Sequence, residues 1–229
     1  MLQIKNLNAF YGQAHILRGI SFELLAGELL VLQGLNGAGK TTLIKSLMGM
    51  VDKTADIFTL GGVDQRFAPT ENIALAGMGY VADTRRIFTT LTVAENLHVA
   101  AKTSLRSTQT QGIQTQWNQA RVLDLLPHLK DLLKRRGGEI SGGEQRMLSV
   151  ARALMGNPNV LLLDEPCEGV APKVADAIAQ AIHIVLGQGI GVILTESQAD
   201  FAQHVLKDAA QAGRMTQVLT LKSGEVWFN

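Results

Sequence analysis

Short apolar runs alternate with amphipathic segments along most of the chain. An apolar run within 27–34 ends in a glycine-rich loop, and apolar residues then recur at helical spacing through 40–50. Two further apolar runs occupy 159–163 and 190–195, and each has the length of one buried strand. Buried strands that alternate with helices are typical of an α/β fold, so we expect a largely parallel sheet.

Other parts of the pattern predict two helices and a hairpin. Thr92 and Glu95 stand three residues apart, which is the spacing of a helix capping box. Apolar residues within 201–206 mark another helix. The segments 215–221 and 226–228 flank a Ser-Gly turn, which predicts a C-terminal hairpin.

One segment differs from the rest in composition. The stretch 102–119 is dominated by Thr, Ser and Gln, and Ile113 and Trp117 are its few large apolar residues. Because such a segment buries little apolar surface, one interpretation is a loosely packed excursion within a helical insertion. A short polar helix is the second interpretation, and the sequence leaves both open.

Composition narrows the possible classes of protein. At roughly 150 residues per domain, the 229 residues fit one large domain or one domain with a subdomain. The 21 basic and 20 acidic residues give a net charge of +1, which argues against a basic surface that binds nucleic acid. The single cysteine, Cys167, excludes a disulfide framework, and no Cys/His spacing predicts a zinc site.

Hydropathy bears on location. No apolar run approaches the roughly 20 residues of a membrane span. The first ten residues have neither the charged start nor the apolar run of a signal peptide. We therefore expect a soluble, cytoplasmic chain with no membrane-spanning segment of its own.

The strongest chemical signal is a glycine-rich loop between a predicted strand and a predicted helix. The segment 34–41 matches the phosphate-loop pattern G-x-x-x-x-G-K-[ST]. Its glycines let backbone N–H groups turn towards phosphate oxygens, and the helix N-terminus adds its positive dipole end. Lys40 can reach the β- and γ-phosphates, and the Thr41 hydroxyl can bind Mg²⁺. The candidate nucleotide-binding residues of this loop are Gly34, Asn36, Gly37, Ala38, Gly39, Lys40, Thr41 and Thr42.

Two adjacent acidic residues supply the partner that a phosphate loop needs. Asp164 and Glu165 follow the apolar residues 160–163, at the C-terminal end of a predicted strand, where open α/β sheets bind ligands. Asp164 is predicted to hold Mg²⁺, and Glu165 to polarise the attacking water. An ordinary strand that ends in solvated acids is the alternative, and the presence of the phosphate loop argues against it.

A third motif opens a helix between the loop and the acidic pair. The segment 141–145 reads Ser-Gly-Gly-Glu-Gln and precedes an apolar helical face, which 156–158 ends. A serine and two glycines at a helix start place a hydroxyl and free N–H groups around one point, which is an anion site. On its own the motif is more simply a plain N-cap.

Together the three motifs resemble the nucleotide-binding subunit of an ATP-binding cassette (ABC) transporter, over essentially the whole chain. The resemblance implies a P-loop NTPase fold: a RecA-like core with a parallel sheet, antiparallel β elements and an inserted helical subdomain. The implied core comprises 1–83 and 146–229, and the implied helical subdomain is 84–145, all within one ABC ATPase domain. The implied ligands are ATP and Mg²⁺.

The resemblance also implies a head-to-tail dimer that sandwiches two nucleotides. In this family the Ser-Gly-Gly signature of one subunit closes on the γ-phosphate of ATP held by the other. An aromatic residue near the N-terminus stacks on adenine, and Tyr11 matches it; a strand-end tyrosine without a ligand is the alternative. The residues implied to contact nucleotide across the dimer are Ser141, Gly142, Gly143 and Glu144.

A narrower likeness is to the paired ATPases of importers for branched-chain amino acids, urea and short amides (the LivF/UrtE type). It rests on 85–97, 141–145 and 164–172, while 168–169 and 135–138 favour the urea/amide branch. The likeness implies a second ATPase subunit, membrane permeases that dock beside the helical subdomain, and an extracytoplasmic solute-binding protein. It places the chain peripherally on the cytoplasmic face of the membrane.

Two positions depart from the general ABC pattern. Asp83 stands where the family offers Gln, or the longer Glu in the narrower group, to Mg²⁺ and the attacking water. Ser197 stands where a histidine is expected, and a hydroxyl cannot carry a positive charge at pH 7. The predicted catalytic residues are Lys40, Asp83, Glu165 and Ser197. The predicted metal-binding residues are Thr41, Asp83 and Asp164.

Two other functions stay open from the sequence. One is a soluble ABC ATPase of DNA repair, translation or cofactor assembly, although 229 residues leave no room for the large insertions that such proteins carry. The other is a regulatory cassette with little turnover, since Asp83 and Ser197 both deviate. The transported solute is not identified, and the partner ATPase is expected to be a different chain, with a homodimer as the alternative.

Overall fold

The computed structural model of the protein describes residues 1–101, 116–197 and 199–227. The strands in these ranges are β1 (Leu2–Tyr11), β2 (Ala14–Leu24), β3 (Leu29–Gln33), β4 (Asp52–Thr54), β5 (Ile57–Leu60), β6 (Val63–Asp64), β7 (Met78–Val81), β8 (Val160–Asp164), β9 (Gly191–Thr195), β10 (Thr216–Lys222) and β11 (Glu225–Trp227). The α-helices are α1 (Lys40–Leu47), α2 (Thr70–Leu75), α3 (Val93–Ala100), α4 (Gln119–Leu125), α5 (Gly142–Met155), α6 (Pro172–Gly187) and α7 (Ala199–Gln211), and two 3₁₀ helices span Pro127–Leu132 and Gly137–Glu139. None of these helices is both long enough and apolar enough to cross a lipid bilayer.

A largely parallel sheet in the order β11-β10-β3-β9-β8-β7 forms the centre of the fold. Its strands run parallel from β10 to β7, and β11 is the antiparallel partner of β10 at one edge. Leu32 pairs with Thr195, and Asp164 also pairs with Thr195, so the C-terminal ends of three neighbouring strands lie side by side. An open α/β sheet binds its ligands outside these strand ends.

Both faces of the parallel sheet are covered, as its continuous apolar strands require. Successive residues of a strand point to opposite faces. A second, antiparallel sheet has the strand order β2-β1-β5-β6, and β4 pairs with β1 beside it. Leu30 and Leu32 of β3 pack with α1 and with this antiparallel sheet. Leu29 and Val31 pack in a separate core cluster with helices α3 to α7. The parallel sheet therefore lies between the antiparallel sheet on one side and these helices on the other.

The region between β7 and β8 contains the predicted capping box. The Glu95 N–H donates to the Thr92 hydroxyl at 3.2 Å, and the Thr92 N–H donates to the Glu95 carboxylate at 2.7 Å.

The predicted excursion or polar helix at 102–119 falls mostly outside the described residues. Within the described part, Trp117 is buried and its N–H donates to the Asn157 side chain at 2.6 Å.

Two elements differ from the sequence prediction. Helix α1 ends at Leu47 instead of residue 50, because Gly49 adopts a left-handed backbone with φ of 69°. The predicted hairpin forms between β10 and β11, but β10 also pairs in parallel with β3, which its local pattern did not indicate. The division of the domain into a core and a helical subdomain stays a prediction.

Candidate functional site

A cleft of about 430 Å³ opens at the C-terminal edge of the parallel sheet, over the loop between β3 and α1. A Cβ atom at Gly34 would lie 2.5 Å from the Leu221 carbonyl oxygen, and one at Gly39 would lie 2.8 Å from Leu17 Cδ2. Both positions also have positive φ angles, so only glycine fits them without strain. The cleft is lined by Tyr11, Ile16, Leu35, Asn36, Gly37, Gly39, Lys40, Thr41, Thr42, Asp83 and Glu165.

The Lys40 ammonium lies almost fully buried at this cleft, where its side chain is 5% exposed. It donates to the Gly34 carbonyl oxygen at 2.8 Å and to the Ser197 hydroxyl at 3.1 Å. Its Nζ also forms an ion pair with Glu165 Oε1 at 3.4 Å. A buried charge requires such partners, and they hold the cation beside the glycine-rich loop.

Asp164 is fully buried at the end of β8. Its Oδ1 accepts hydrogen bonds from the hydroxyls of Thr195 at 2.7 Å and Thr41 at 3.1 Å. Burial raises the pKa of Asp164, and the two hydroxyl donors oppose that shift. Its buried Oδ2 has no hydrogen-bond partner among the described residues. An unpaired buried carboxylate oxygen beside a threonine hydroxyl is a donor set that suits Mg²⁺, so these residues fit the predicted cation.

Glu165 occupies an unusual backbone conformation. Its φ of 46° is left-handed, a region that non-glycine residues seldom adopt. Its N–H donates to both the carbonyl oxygen and the hydroxyl of Thr195, each at 3.1 Å. These bonds hold the residue in that conformation, and its carboxylate reaches the cleft beside Lys40.

Ser197 lies against the same carboxylate, at the position where a histidine was expected. Its hydroxyl is 2.6 Å from Glu165 Oε1 and 3.0 Å from Asn36 Oδ1, and it accepts from Lys40. Since a hydroxyl carries one proton, it can donate to only one of these oxygens at a time. The structure thus brings Ser197 into the site without adding a positive charge.

Asp83 also lines the cleft, on the loop that follows β7. Its carboxylate accepts the N–H of the next residue, Thr84, at 2.7 Å. The buried guanidinium of Arg146 fixes the loop, because it donates a hydrogen bond of 2.8 Å to each of the carbonyl oxygens of Ala82 and Asp83. Because Arg146 belongs to α5, the Asp83 loop is tied to the helix that the Ser-Gly-Gly motif opens.

Tyr11 stands at the end of β1, where its side chain is 48% exposed and borders the cleft together with Ile16. The ring is therefore accessible at the cleft mouth, which is the arrangement that the adenine-stacking prediction requires.

The Ser-Gly-Gly motif is not among the residues that line this cleft. Ser141 caps α5 in a capping box: its hydroxyl accepts the Glu144 N–H at 3.3 Å, and the Glu144 carboxylate accepts the Ser141 N–H at 2.6 Å. A Cβ at Gly143 would lie 2.8 Å from Val174 Cγ2, so glycine is required there for packing. Within one chain the motif acts as an N-cap, and contact with nucleotide would need a second subunit.

Two residues that the sequence analysis did not single out prove central to the geometry. Thr195 bonds both acidic residues, and Arg146 fixes the Asp83 loop. Thr195 is a polar residue that ends an otherwise apolar predicted strand. That pattern is a signal that could have identified it. Arg146 lies one residue after the signature segment, and nothing in its local pattern indicates burial.

Sequence comparisons place the chain in a family. It matches the ABC transporter family over residues 17–168. The high-affinity branched-chain amino acid transport ATP-binding protein BraG of Pseudomonas aeruginosa is 36% identical over 202 residues, covering 88% of this chain and 84% of that protein. The probable branched-chain amino acid transport ATP-binding protein LivF of Archaeoglobus fulgidus is 35% identical over 230 residues, covering 100% and 91%. The lipopolysaccharide export system ATP-binding protein LptB of Haemophilus influenzae is 33% identical over 197 residues, covering 86% and 80%.

Solved structures share the fold. The dimeric structure of MJ0796, a bacterial ABC transporter cassette, superposes with a TM-score of 0.79 at 20% identity, covering 100% of this chain and 97% of that chain. The ADP conformation of MJ1267, an ATP-binding cassette of an ABC transporter, gives 0.75 at 24% identity, covering 99% and 89%. At these identities the likeness concerns the fold, and it confirms the predicted P-loop NTPase architecture.

A phosphate loop after β3, an acidic pair at the end of β8 two strands away, and the family match together define an ATP-binding cassette. The chain belongs to the ABC transporter family, and it is an ATP-binding, ATP-hydrolysing subunit of that family. The predicted likeness to branched-chain amino acid transport ATPases is confirmed by BraG and LivF. The roles of individual cleft residues stay predictions.

Proposed function

We propose that this ATPase energises an importer for branched-chain amino acids from the cytoplasmic face of the membrane, through separate permease subunits. One observation supports ATP hydrolysis most strongly: Lys40, Asp164 and Glu165 lie together at one cleft beside the glycine-rich loop. The likeness to BraG and LivF supports the solute class. Urea and short amides form the second solute class, which 168–169 and 135–138 favour.

Each polar residue of the cleft has a proposed role. Lys40 and the loop N–H groups hold the β- and γ-phosphates, and Thr41 and Asp164 hold Mg²⁺, with Asp83 near it. Bound Mg²⁺ supplies positive charge that offsets the charge on the phosphate oxygens. Glu165 accepts a proton from the attacking water. Because phosphate and Glu165 are both anions, phosphate would compete with Glu165 for Lys40.

The complete site is proposed to need two subunits. The Ser-Gly-Gly motif lies outside the cleft of its own chain. The Gly142 and Gly143 N–H groups, and the proton of the Ser141 hydroxyl, whose oxygen already accepts the Glu144 N–H, can therefore meet phosphate held by a second cassette. Ser197 supports a partner that is a different chain, because a homodimer would lack the histidine contact to the γ-phosphate at both sites and would have only Lys40 as a cation there. An extracytoplasmic solute-binding protein would deliver the solute to the permeases.

Tyr11→Ala is expected to weaken ATP binding about five- to tenfold, because it removes one stacking contact worth about 1 kcal/mol. Tyr11→Trp should largely preserve the affinity. Isothermal titration of the purified chain with ATP measures both. Phe67→Ala is the matched control, since Phe67 is an exposed ring that does not line the cleft. If Tyr11→Ala binds ATP as tightly as wild type, the adenine platform lies elsewhere.

A basic pocket beside the Asp83 loop is the proposed contact for the permease. This arginine pocket, of about 220 Å³, is lined by Arg85, Arg86, Arg152, Tyr80 and Ser149, together with three alanines. In the described part of the chain, no ion pair within 4.0 Å involves any of its three guanidinium groups. The segment 102–115, outside the described residues, contains no acidic residue that could neutralise them.

The pocket is built to hold an anion. Arg85 and Arg86 both have left-handed backbones, with φ of 63° and 45°. Arg152 donates to the Arg86 carbonyl oxygen at 2.7 Å and lies 4.5 Å from the centre of the exposed Phe88 ring. Its buried Nε and the Tyr80 hydroxyl have no hydrogen-bond partner within the part of the chain that the structure describes. Burial raises the pKa of Tyr80 to about 12, so its phenol stays a donor. Uncompensated cations beside an exposed ring favour an acidic side chain of a protein partner.

Arg86→Glu is expected to reduce recovery of the permease with the tagged chain by about tenfold or more, because it places like charges at the contact. ATP binding by the isolated chain should not change, since Arg86 does not line the nucleotide cleft. Arg18→Glu, a charge reversal at another exposed arginine, is the control. Equal permease recovery in both variants would exclude the pocket as the docking contact.

A further inference from the structure

Thr195 connects the two acidic residues of the site through one buried hydroxyl. The residue is fully buried at the end of β9. Its hydroxyl donates to Asp164 Oδ1 at 2.7 Å and accepts the Glu165 N–H at 3.1 Å. The Thr195 carbonyl oxygen accepts the same N–H, also at 3.1 Å. One side chain thus has contacts with both the candidate metal ligand and the candidate water-activating residue.

The residue type at this position needs an explanation. The preceding residues of β9 are apolar or glycine, and all of them are buried, so Val would suit the packing of the strand. Burying a hydroxyl without a partner costs free energy, whereas here both its proton and its lone pair are used. The hydroxyl is therefore retained where its hydrogen bonds act on Asp164 and Glu165.

We propose that Thr195 is a positioning residue that sets the orientation of both carboxylates; the inference rests on the proposed ATPase site. By holding Oδ1, it leaves Oδ2, for which the described ranges offer no hydrogen-bond partner, as the oxygen available to a cation. The Thr41 hydroxyl also donates to Oδ1, but it is itself a candidate metal ligand. If the Thr41 hydroxyl binds the metal instead of Oδ1, Thr195 is the remaining hydrogen-bond donor that keeps Asp164 in place.

Thr195 acts on Glu165 through the backbone. A left-handed φ of 46° costs free energy for a residue with a side chain, and it persists only where the surroundings enforce it. The two bonds from the Glu165 N–H to Thr195 supply that constraint. Losing the hydroxyl removes one of them and leaves the carbonyl contact intact, so the fold survives while the Glu165 backbone is held less tightly and its carboxylate depends more on Lys40 and Ser197 for its orientation.

The test compares Thr195→Val with Thr195→Ser in the purified full chain. Hydrogen bonds that neighbouring residues donate to metal ligands typically contribute about 10–100-fold to metal affinity. Thr195→Val should therefore weaken Mn²⁺ binding in the presence of ATP by about tenfold, read by electron paramagnetic resonance, and lower kcat. ATP affinity measured without metal should change less than about twofold, and Thr195→Ser should restore Mn²⁺ affinity and kcat to near wild type. Thr59→Val makes the same substitution at a partly buried position on β5 of the other sheet, and it controls for the loss of a threonine hydroxyl outside the site.

The outcomes separate this inference from the proposed function. If wild type binds no Mn²⁺ with ATP, the metal site itself is wrong. If wild type binds Mn²⁺ and Thr195→Val binds it equally well, Thr195 does not position Asp164. If Thr195→Ser is as impaired as Thr195→Val, the methyl group matters instead of the hydroxyl, and the inference fails. Melting temperatures of the variants show whether each remains folded.

Discussion

The Glu165→Gln variant is expected to bind ATP at least as tightly as wild type while its hydrolysis falls by roughly 10²–10⁴-fold. Glutamine has nearly the same shape, but it cannot accept the proton of the attacking water. It also removes the anion that lies 3.4 Å from the Lys40 ammonium, and that anion competes with phosphate. Both are measured in the purified chain, binding with a fluorescent ATP analogue and hydrolysis by phosphate release. The fall is taken relative to the expected slow turnover of the isolated wild-type chain, not to that of the assembled complex.

Lys40→Ala is expected to affect ATP binding, which Glu165→Gln leaves intact. Lys40 is proposed to hold phosphate in the ground state, so its loss should weaken ATP binding itself. Glu168→Gln controls for loss of an acidic side chain three residues away, at an exposed position, and should behave as wild type. Equal loss of binding in Lys40→Ala and Glu165→Gln would overturn this division of roles.

In the assembled transporter, Ser141→Arg is expected to lower ATP hydrolysis by about 10²-fold and to be more damaging than Glu165→Gln. The reason is asymmetry between the two sites of the dimer. The site on this chain has Ser197 where a histidine would supply charge, and the Ser197 hydroxyl lies 2.6 Å from Glu165. A partner that retains the histidine would carry the competent site, to which this chain contributes Ser141, Gly142 and Gly143.

The control for Ser141→Arg is a substitution in the capping box formed by Thr92 and Glu95. Ser141→Arg also removes a helix cap, which costs about 1 kcal/mol of stability. Thr92→Arg removes the cap of α3 in the same way, outside the signature, and should leave most of the activity. The asymmetric hypothesis is wrong if Glu165→Gln cripples the complex as much as Ser141→Arg. It is also wrong if the isolated chain turns over ATP at a typical enzyme rate of about 1–10 s⁻¹.

The features predictable from the sequence were those set by local spacing. The loop from Gly34 to Thr41 has a strict pattern because close backbone contacts exclude side chains at Gly34 and Gly39. The capping box at Thr92 depends on residues only three positions apart, and the N-cap at Ser141 depends on the start of an apolar helical pattern. Buried strands were visible as apolar runs, and they placed Asp164 and Glu165 at a strand end.

The features that the sequence did not reveal depend on contacts between distant segments. The parallel pairing of β10 with β3 joins residues almost 190 positions apart. Thr195 meets Asp164 only because β9 and β8 are neighbours in the sheet, and Arg146 reaches the Asp83 carbonyl across 63 positions. The arginine pocket likewise assembles from α5 and the loop after β7. No local pattern encodes these approaches.

Solute transport by the complex reconstituted in liposomes tests the central claim most directly. The complex contains this chain, its partner ATPase and the permeases, with the solute-binding protein and labelled leucine on the opposite side from ATP. The account predicts that leucine accumulates on the side that carries this chain, only when ATP is present, and that Ser141→Arg abolishes the accumulation while Thr92→Arg does not. Hydrolysis of ATP without leucine movement towards that side, or ATP-driven movement of a lipid away from it, would contradict the account.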